Sequence, residues 1–243
     1  MKTYGIIGRN ISYSFSPKYF SEKFKSEGIT AQFLNFDMPD LSGLNKLKEE
    51  YPGLRGTSVT IPYKEEIIPL LDGLDPIARE IGAVNTVKFH EDGRKTGFNT
   101  DYIGFRDSLR PHLKPHHKKA LILGTGGASK AIEYALESLD IISLKVSRHE
   151  GPERITYRDL DAPFLEEFTL LINCTPLGTY PDVHQLPEVP THLLGPDHVV
   201  FDLIYNPAET QLMKRAAAQG AVAVNGYEML VLQAEAAWKI WNQ

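Results

Sequence analysis

Residues 119–139 read KALILGTGGASKAIEYALESL, and this stretch decides the fold. Its first five residues, apolar after Lys119, are typical of a buried strand, and glycines follow at positions 124, 126 and 127. Apolar residues then recur at helical spacing and make one stripe, formed by Ala128, Ile132, Ala135, Leu136 and Leu139. A strand, a glycine-rich turn and a helix in this order predict one βα unit of a parallel sheet.

The same alternation continues on both sides of this unit. The strand patterns are Lys2–Gly8, Ala31–Met38, Leu54–Ile61, Val84–His90, Ser143–Ser147, Thr169–Cys174, His198–Leu203 and Ala221–Val224. The helical patterns are 16–28, Leu41–Tyr51, Asp75–Ile81, Thr210–Gln219 and Tyr227–Trp241. In the first helix, Ser16 is the expected N-cap and Pro17 the first helical residue. The alternation predicts an α/β fold with mostly parallel pairing and a boundary near residues 102–111.

Composition narrows the class of protein. A chain of 243 residues suggests one or two domains. A net charge of −5 argues against a general nucleic-acid binder, although local basic sites are compatible with it. The single cysteine, Cys174, excludes an internal disulfide, and no window approaches 18 apolar residues. We therefore expect a soluble, cytoplasmic protein with neither a nucleic-acid nor a membrane partner.

The turn at Gly124–Gly127 is suited to binding a phosphate group. Glycines let the backbone approach an anion closely, and the N–H groups at the start of the helix face it. The spacing is GxGGxxxA, closed by Ala131, and it is not a P-loop because Ser129 and Ala131 flank Lys130. The alternative is a plain βα turn that uses glycine only for its conformation.

The end of the next strand indicates which dinucleotide fits. An acidic residue there would hold the ribose 2′-hydroxyl of NAD, but the chain has Ser147, Arg148 and His149. A guanidinium pairs bidentately with a 2′-phosphate, so Arg148 favours NADP as the cofactor. The alternative is a solvated surface arginine.

Three polar clusters in the first half each follow a predicted strand. They cover residues 8–17, residues 56–64, and residues 82–86 with 97–101. Ligands collect beyond the carboxyl ends of strands in α/β sheets. Hydroxyls, amides, one lysine and one aspartate suit a small polyhydroxylated acid. Because the sequence has no HExxH, CxxC or GxSxG motif, neither a metal nor a serine nucleophile is expected.

Eight short motifs follow one another along nearly the whole chain. They are S-x-S-P at 14–17, V-T-x-P-x-K at 59–64, G-A-V-N-T at 82–86, N-T-D at 99–101, the glycine-rich loop at 124–127, N-x-T-x-x-G at 173–178, D-L-I-Y-N-P at 202–207 and N-G-x-x-M-L-V-x-Q-A at 225–234. In this order the set resembles the shikimate dehydrogenase family. The resemblance implies NADPH-dependent reduction of 3-dehydroshikimate to shikimate, in chorismate and aromatic amino-acid biosynthesis.

The resemblance also implies roles for individual residues. Lys64 and Asp101 would be the catalytic pair, since an ammonium can stabilise and protonate a developing alkoxide and the reverse reaction needs a base. The sequence does not divide the proton between them. The substrate contacts would be Ser14, Ser16, Thr60, Asn85, Tyr205 and Gln233. The cofactor contacts would be Gly124, Gly126, Gly127, Ala128, Ser147, Arg148, Thr175 and Gly226.

Gln233 is also singled out by its position. It lies in the apolar stripe of the last helix, where an unpartnered amide would be costly. A ligand or a buried backbone group could satisfy the amide, and we favour the ligand.

The family resemblance implies two α/β domains around a cleft. Residues 1–102 and 226–243 would form the substrate domain, with the C-terminal helix returning to it, and residues 103–225 a Rossmann-like NADP-binding domain. The protein would be a monomer or homodimer. Alternatives are a quinate dehydrogenase of the same family using NAD, and a non-catalytic NADP-binding sensor.

The chain departs from the family pattern in several places. Ser58 stands where the family usually has Asn, and Thr179–Tyr180 replaces the usual Met after Gly178. Asn10 and Tyr13 occupy an opening motif that usually carries Gly-x-Pro and His.

Overall fold

The chain folds as two compact units in a computed structural model that describes residues 1–12 and 14–243. The first unit comprises Met1–Thr100 with Ala234–Gln243, and the second comprises Asp101–Gln233. The second division between the units lies inside the last helix, between Gln233 and Ala234. The domain boundary expected from the sequence lies before that helix, at residue 226. The functional domains expected from the sequence, 1–102 with 226–243 and 103–225, stay predictions.

The first unit is built on a mixed sheet. Its elements are β1 (Lys2–Gly8), α1 (Phe15–Ser26), β2 (Ala31–Asp37), a 3₁₀ helix (Leu41–Lys46) leading into α2 (Leu47–Glu50), β3 (Leu54–Val59), α3 (Tyr63–Glu66), β4 (Gly73–Leu74), α4 (Pro76–Ile81), β5 (Thr86–Phe89) and β6 (Lys95–Phe98). The strand order is β2-β1-β3-β5-β6-β4. β1 pairs in parallel with β2 and β3, whereas β5 runs antiparallel to β3 and β6.

The two faces of this sheet bury different clusters. Alternation along β1 sends Tyr4 and Ile6 into one apolar cluster and Ile7 into the other, as the two-residue period of a strand requires. The indole of Trp241 packs against Gly56, where a Cβ would overlap the ring. Its Nε1 donates a hydrogen bond of 3.1 Å to the carbonyl of Val87. The end of the chain therefore completes the core of the first unit.

The N-cap of α1 differs from the expectation. Ser14, not Ser16, is the cap residue, and its hydroxyl accepts from the backbone N–H of Ser16 at 3.4 Å. Ser14 has extended dihedrals, φ −60° and ψ 141°, as a capping residue needs. Ser16 is buried in the first turn, and Pro17 follows it.

The second unit has an entirely parallel sheet. Its elements are α5 (Asp101–Leu109), β7 (Lys119–Leu123), α6 (Gly127–Glu137), β8 (Ile142–Ser147), β9 (Arg154–Thr156), α7 (Ala162–Glu167), β10 (Leu170–Asn173), β11 (Val199–Asp202), α8 (Gln211–Ala218), β12 (Val222–Asn225) and α9 (Tyr227–Asn242), whose last turns belong to the first unit. The strand order is β12-β11-β10-β7-β8-β9. This is the doubly wound order in which ligands bind where the direction of winding reverses, here between β7 and β10.

The α/β class is confirmed, and the differences lie in short elements. The pattern did not predict α3, α5, α7, β4, β6 or β9. The first sheet is mixed because β5 and β6 form a hairpin, in which the backbone N–H of His90 donates to the carbonyl of Arg94. Gly93 turns this hairpin with a positive φ of 89°, a conformation open to glycine. In the described residues, no helix is long and apolar enough to cross a membrane.

Candidate active site

Backbone hydrogen bonds join two of the polar clusters at the carboxyl edge of the first sheet. The N–H of Val59 donates to the carbonyl of Asn85 at 2.7 Å. The N–H of Val84 donates to the carbonyl of Lys64, also at 2.7 Å. The V-T-x-P-x-K and G-A-V-N-T segments are therefore fixed against each other although they are about twenty residues apart in sequence.

Lys64 lies in the short helix α3, directly beyond the end of β3. Its neighbour Tyr63 is buried, and the Tyr63 hydroxyl donates a 2.6 Å hydrogen bond to the carbonyl of Met38. Burial raises the pKa of Tyr63, so the phenol keeps its donor proton at neutral pH. These contacts hold the backbone around Lys64, whose side chain is half-buried.

Asn85 is nearly inaccessible and holds the segment that leads to Asp101. Its Oδ1 accepts from the backbone N–H of Thr100 at 2.7 Å and from the hydroxyl of Thr86 at 3.0 Å. Its Nδ2 donates to the hydroxyl of Thr100 at 3.0 Å. Asp101 follows Thr100 and is the buried first residue of α5, where the positive end of the helix dipole favours a carboxylate. The sequence analysis missed Thr100, although the N-T-D motif contains it.

Thr60 lies beside the opening polar cluster. Its N–H donates to the carbonyl of Ile7, and a Cβ on Gly8 would lie 2.6 Å from the methyl of Thr60 and 2.5 Å from that of Ile11. Gly8 therefore has no room for a side chain, and the chain passes close to Thr60 before entering α1. Ser14 and Ser16 follow at the start of that helix, and Tyr13 lies outside the described residues.

The glycine-rich turn of the second unit leaves space at the start of a helix. Gly124 has a φ of +105°, and a Cβ there would meet the methyl of Thr175 at 3.1 Å. A Cβ on Gly126, by contrast, would meet no atom within 4 Å. Gly126 caps α6, which begins with Gly127 and Ala128. This open space before backbone N–H groups fits the pyrophosphate of a dinucleotide.

Arg148 lies one strand away from this turn. The N–H of Gly124 donates to the carbonyl of Val146, and Ser147 and Arg148 follow directly. The hydroxyl of Ser147 accepts from the N–H of His149, and Arg148 is exposed. An exposed guanidinium at the end of β8 has the donor chemistry that a 2′-phosphate requires.

A buried network organises the loops that follow β10 and β11. The Asp202 carboxylate accepts from the side chains of Asn173 and Thr210 and from the N–H of Ile204. Asn173 Oδ1 accepts in turn from the N–H and hydroxyl of Thr175. Burial raises the pKa of the Asp202 carboxyl and that of the Cys174 thiol, so Cys174 is no ready nucleophile. The sequence analysis had not identified Asn173 and Asp202 as organising residues.

The remaining predicted contacts lie in this second unit. Tyr205 is half-buried in the loop after β11. Gly226 precedes α9, and a Cβ there would overlap the carbonyl of Leu203, so the position has no room for a larger residue. Gln233 is buried and its Nε2 donates to the carbonyl of Leu230 at 2.9 Å, so a backbone group takes one of its donors.

The structure thus groups the predicted residues within each unit. Ser14, Ser16, Thr60, Lys64 and Asn85 belong to the first unit, and Asp101, Tyr205, Gln233 and the cofactor contacts belong to the second. The pairing of Lys64 with Asp101 stays a prediction. Over residues 1–12 and 14–243, no group of three or more His, Cys, Asp or Glu side chains is arranged to hold a metal.

The doubly wound sheet and the open glycine turn define a dinucleotide-binding unit, the kind found in NADP-dependent oxidoreductases. Residues 6–87 match the family model described as "Shikimate dehydrogenase substrate binding domain". The NADP⁺ shikimate dehydrogenase of Methanocaldococcus jannaschii is 37% identical, over 99% of this chain and 91% of that protein. The chain belongs to the shikimate dehydrogenase family, as the motifs predicted.

Solved structures agree with this assignment. Shikimate dehydrogenase from Thermus thermophilus, in complex with NADP(H) and shikimate, is 30% identical with a TM-score of 0.87, over 99% of this chain and 93% of that one. Quinate dehydrogenase from Corynebacterium glutamicum, in complex with NAD, is 27% identical with a TM-score of 0.86, over 99% and 93%. These likenesses confirm the predicted two-domain fold class.

Proposed function

We propose that this protein catalyses the reversible reduction of 3-dehydroshikimate to shikimate with NADPH, a step of chorismate and aromatic amino-acid biosynthesis. The observation that carries the proposal is the hydrogen-bonded junction between the Lys64 and Asn85 segments, in a chain of the shikimate dehydrogenase family. The activity and the cofactor predicted from the motifs are supported by relatives named as NADP⁺ enzymes and by structures solved with NADP.

Lys64 and Asp101 are the proposed acid–base residues. The Lys64 ammonium would stabilise the negative charge that develops on the ketone oxygen during reduction and supply the proton to it. In the reverse direction the substrate hydroxyl must lose its proton, and the Asp101 carboxylate is a base of suitable chemistry. The Asn85–Thr100 hydrogen bonds would fix the chain directly before Asp101.

Hydroxyl and amide groups would hold the substrate. Ser14 and Ser16, at the start of α1, would donate to the ring carboxylate. Thr60 and Asn85 would contact the carboxylate or the ring hydroxyls, and so would Tyr205 and Gln233. Asn85 already uses both atoms of its amide within the protein, so we propose that it orients Thr100 as well as meeting the substrate.

The cofactor would be held by the second unit. The N–H groups at Gly126, Gly127 and Ala128 would receive the pyrophosphate, and Ser147 and Arg148 the 2′-phosphate. Gly124, Thr175 and Gly226 would shape the adjoining loops. NADPH supplies the hydride when it is bound there.

A spectrophotometric assay tests the proposal. Purified protein with NADPH should consume it on addition of 3-dehydroshikimate, and with NADP⁺ it should oxidise shikimate. In parallel reactions, quinate and NAD⁺ should give a lower kcat/KM. A higher kcat/KM for quinate than for shikimate would identify the protein as a quinate dehydrogenase. Absence of turnover with every combination of substrate and cofactor would favour a non-catalytic NADP-binding sensor.

The cellular location and the assembly state also belong to the proposal. We propose a cytoplasmic enzyme that is a monomer or homodimer. Light scattering coupled to size-exclusion chromatography would distinguish these two states and would detect any larger assembly.

A further inference from the structure

The first unit has a cavity at the edge of its sheet opposite the polar clusters. The cavity has a volume of about 400 Å³ and is lined by residues at the starts of β1 and β3, the end of β5 and the end of α9. Lys2 begins β1 and Arg55 is the second residue of β3, whereas Lys88 lies near the end of the antiparallel β5. Thr60, Lys64 and Asn85 follow or precede these strands at the other edge. The cavity is therefore separate from the proposed substrate contacts of the first unit.

Buried aromatic side chains form the floor of this cavity. Tyr4, Phe89 and Trp241 line it and are each less than 5% exposed. The Tyr4 hydroxyl donates to Asn242 Oδ1 at 3.0 Å, and Trp241 Nε1 donates to the carbonyl of Val87. Because these donors are already used and the rings are almost inaccessible, the charged rim determines which ligand is accepted.

The rim is basic in a chain that is acidic as a whole. Lys2, Arg55 and Lys88 line the cavity together with His90, and Glu91 is the acidic side chain among them. Arg55 pairs with Glu91 at 2.8 Å, but the Glu91 side chain is 82% exposed, so this ion pair is weak and easily exchanged. For the ammonium groups of Lys2 and Lys88, the described residues provide neither an ion pair nor a hydrogen bond.

We propose that this cavity binds a small organic phosphate monoester. The guanidinium fork of Arg55 matches the geometry of a phosphate, and Lys2 and Lys88 would add two further positive charges. The volume lies within the range typical of small-molecule sites. A bare phosphate ion would leave most of this volume to water, whereas the organic part of a monoester would fill more of it.

The proposal has a clear rival in helix electrostatics. α9 ends at Asn242, and the carbonyl groups at a helix C-terminus favour nearby cations even when no ligand binds. In that case the basic rim would stabilise the fold and a dianion would gain nothing from the cavity. The two explanations differ in whether phosphate compounds bind.

Calorimetric titration of the full chain tests the proposal, with saturating NADP⁺ present so that the cofactor site is filled. The probes are phenyl phosphate and inorganic phosphate. We expect both to bind and phenyl phosphate to bind more tightly. The double variant Lys2→Gln/Lys88→Gln should weaken phenyl phosphate binding at least tenfold. The control is Lys25→Gln/Lys46→Gln, which removes the same charge from exposed positions of the same unit and should bind like the unaltered protein.

Each result decides the matter. Tighter binding of inorganic phosphate would overturn the monoester assignment. Absence of binding, or equal weakening in both double variants, would overturn the site. Thermal unfolding of the variants checks that they fold, and turnover of 3-dehydroshikimate is measured separately, so a failure here is distinguishable from failure of the proposed activity.

Discussion

The side-chain amide of Asn173 donates a 2.9 Å hydrogen bond to the Asp202 carboxylate, and both residues are fully buried. They end the neighbouring parallel strands β10 and β11, where their backbones are paired in register. The other Asp202 oxygen accepts from the Thr210 hydroxyl at 2.7 Å, and Thr210 caps α8. One buried carboxylate therefore ties two strand ends to the start of a helix.

Two substitutions of Asp202 should differ in how much they lower the free energy of unfolding. Asp202→Ala leaves three buried donors without their acceptor, and each orphaned group costs about 1–3 kcal/mol. We expect the free energy of unfolding to fall by at least about 3 kcal/mol, measured in urea. Asp202→Asn keeps one oxygen and a similar volume, and should lose about 1 kcal/mol. Equal losses in the two variants would contradict the network.

Two glycines of the same turn should respond differently to alanine. Gly126→Ala has open space and an ordinary φ of −77°, so it should lower the thermal midpoint less than Gly124→Ala does, although alanine is the poorer N-cap. Its methyl would enter the proposed pyrophosphate space, so the Kd for NADPH should rise at least tenfold. Gly124→Ala forces a φ of +105° and should cost about 1–3 kcal/mol of stability. If Gly126→Ala binds NADPH with an unchanged Kd, the pyrophosphate does not occupy the space beside Gly126.

Arg148 should determine the choice between the two dinucleotides. A charge-assisted hydrogen bond contributes about 1.5–3 kcal/mol, which corresponds to roughly 10- to 100-fold in affinity. Arg148→Ala should weaken NADP⁺ binding by this factor and leave NAD⁺ binding nearly unchanged. Fluorescence titration with both cofactors measures the ratio, and Arg110→Ala removes the same charge at an exposed position of the same unit. Equal affinity of the unaltered protein for both cofactors would refute the role of Arg148.

The strands that sequence patterns located best are those with continuous apolar runs. β1 and β7 lie where they were predicted, because both runs are buried after an initial lysine, and Gly8 ends the first while Gly124 follows the second. β6 reads KTGF and carries little apolar signal, so its hairpin with β5 was not found. The sequence predicts Ser16 as the N-cap because Pro17 fits the first helical position, but Ser14 has the extended dihedrals and accepts the capping hydrogen bond.

The site was predictable in residue type but not in its internal partners. The motifs supplied Lys64, Asn85 and Asp101 because each lies in a short distinctive pattern. The hydrogen bonds of Asn85 to Thr100 and of Asn173 to Asp202 join residues 15 and 29 positions apart. Such pairs depend on strand register and on turns, which single-sequence patterns do not specify. The assigned roles of the site residues therefore stay predictions.

His117 should make the protein less stable in acid. Its imidazole is buried, Nδ1 contacts the Thr169 hydroxyl at 3.0 Å, and burial, with repulsion from His116, lowers the pKa of His117 to about 4. The unfolded chain, with a pKa near 6.5, then binds more protons, so stability is lost as pH falls from about 6.5 toward 4.

A variant isolates this effect. The loss between pH 7 and pH 5, measured in urea, should be about 2 kcal/mol smaller in His117→Asn than in the unaltered protein. His149→Asn changes an exposed histidine and should leave the pH dependence as it was. If the free energy of unfolding depends on pH identically in all three proteins, the pKa of His117 is not lowered in the folded protein.

Lys64 should govern turnover without governing cofactor binding. The carbonyl of Lys64, not its side chain, accepts the hydrogen bond from Val84, so truncation leaves this backbone junction in place. Lys64→Ala removes the proposed proton donor, and general acid catalysis contributes roughly 10²- to 10⁴-fold. We expect kcat to fall by about that factor in the NADPH assay, while the Kd for NADPH, whose proposed contacts lie in the second unit, stays nearly constant. Lys64→Arg keeps the charge but is a poor proton donor, so it should bind substrate better than Lys64→Ala without restoring kcat. Near-normal turnover in Lys64→Ala would remove this residue from the mechanism.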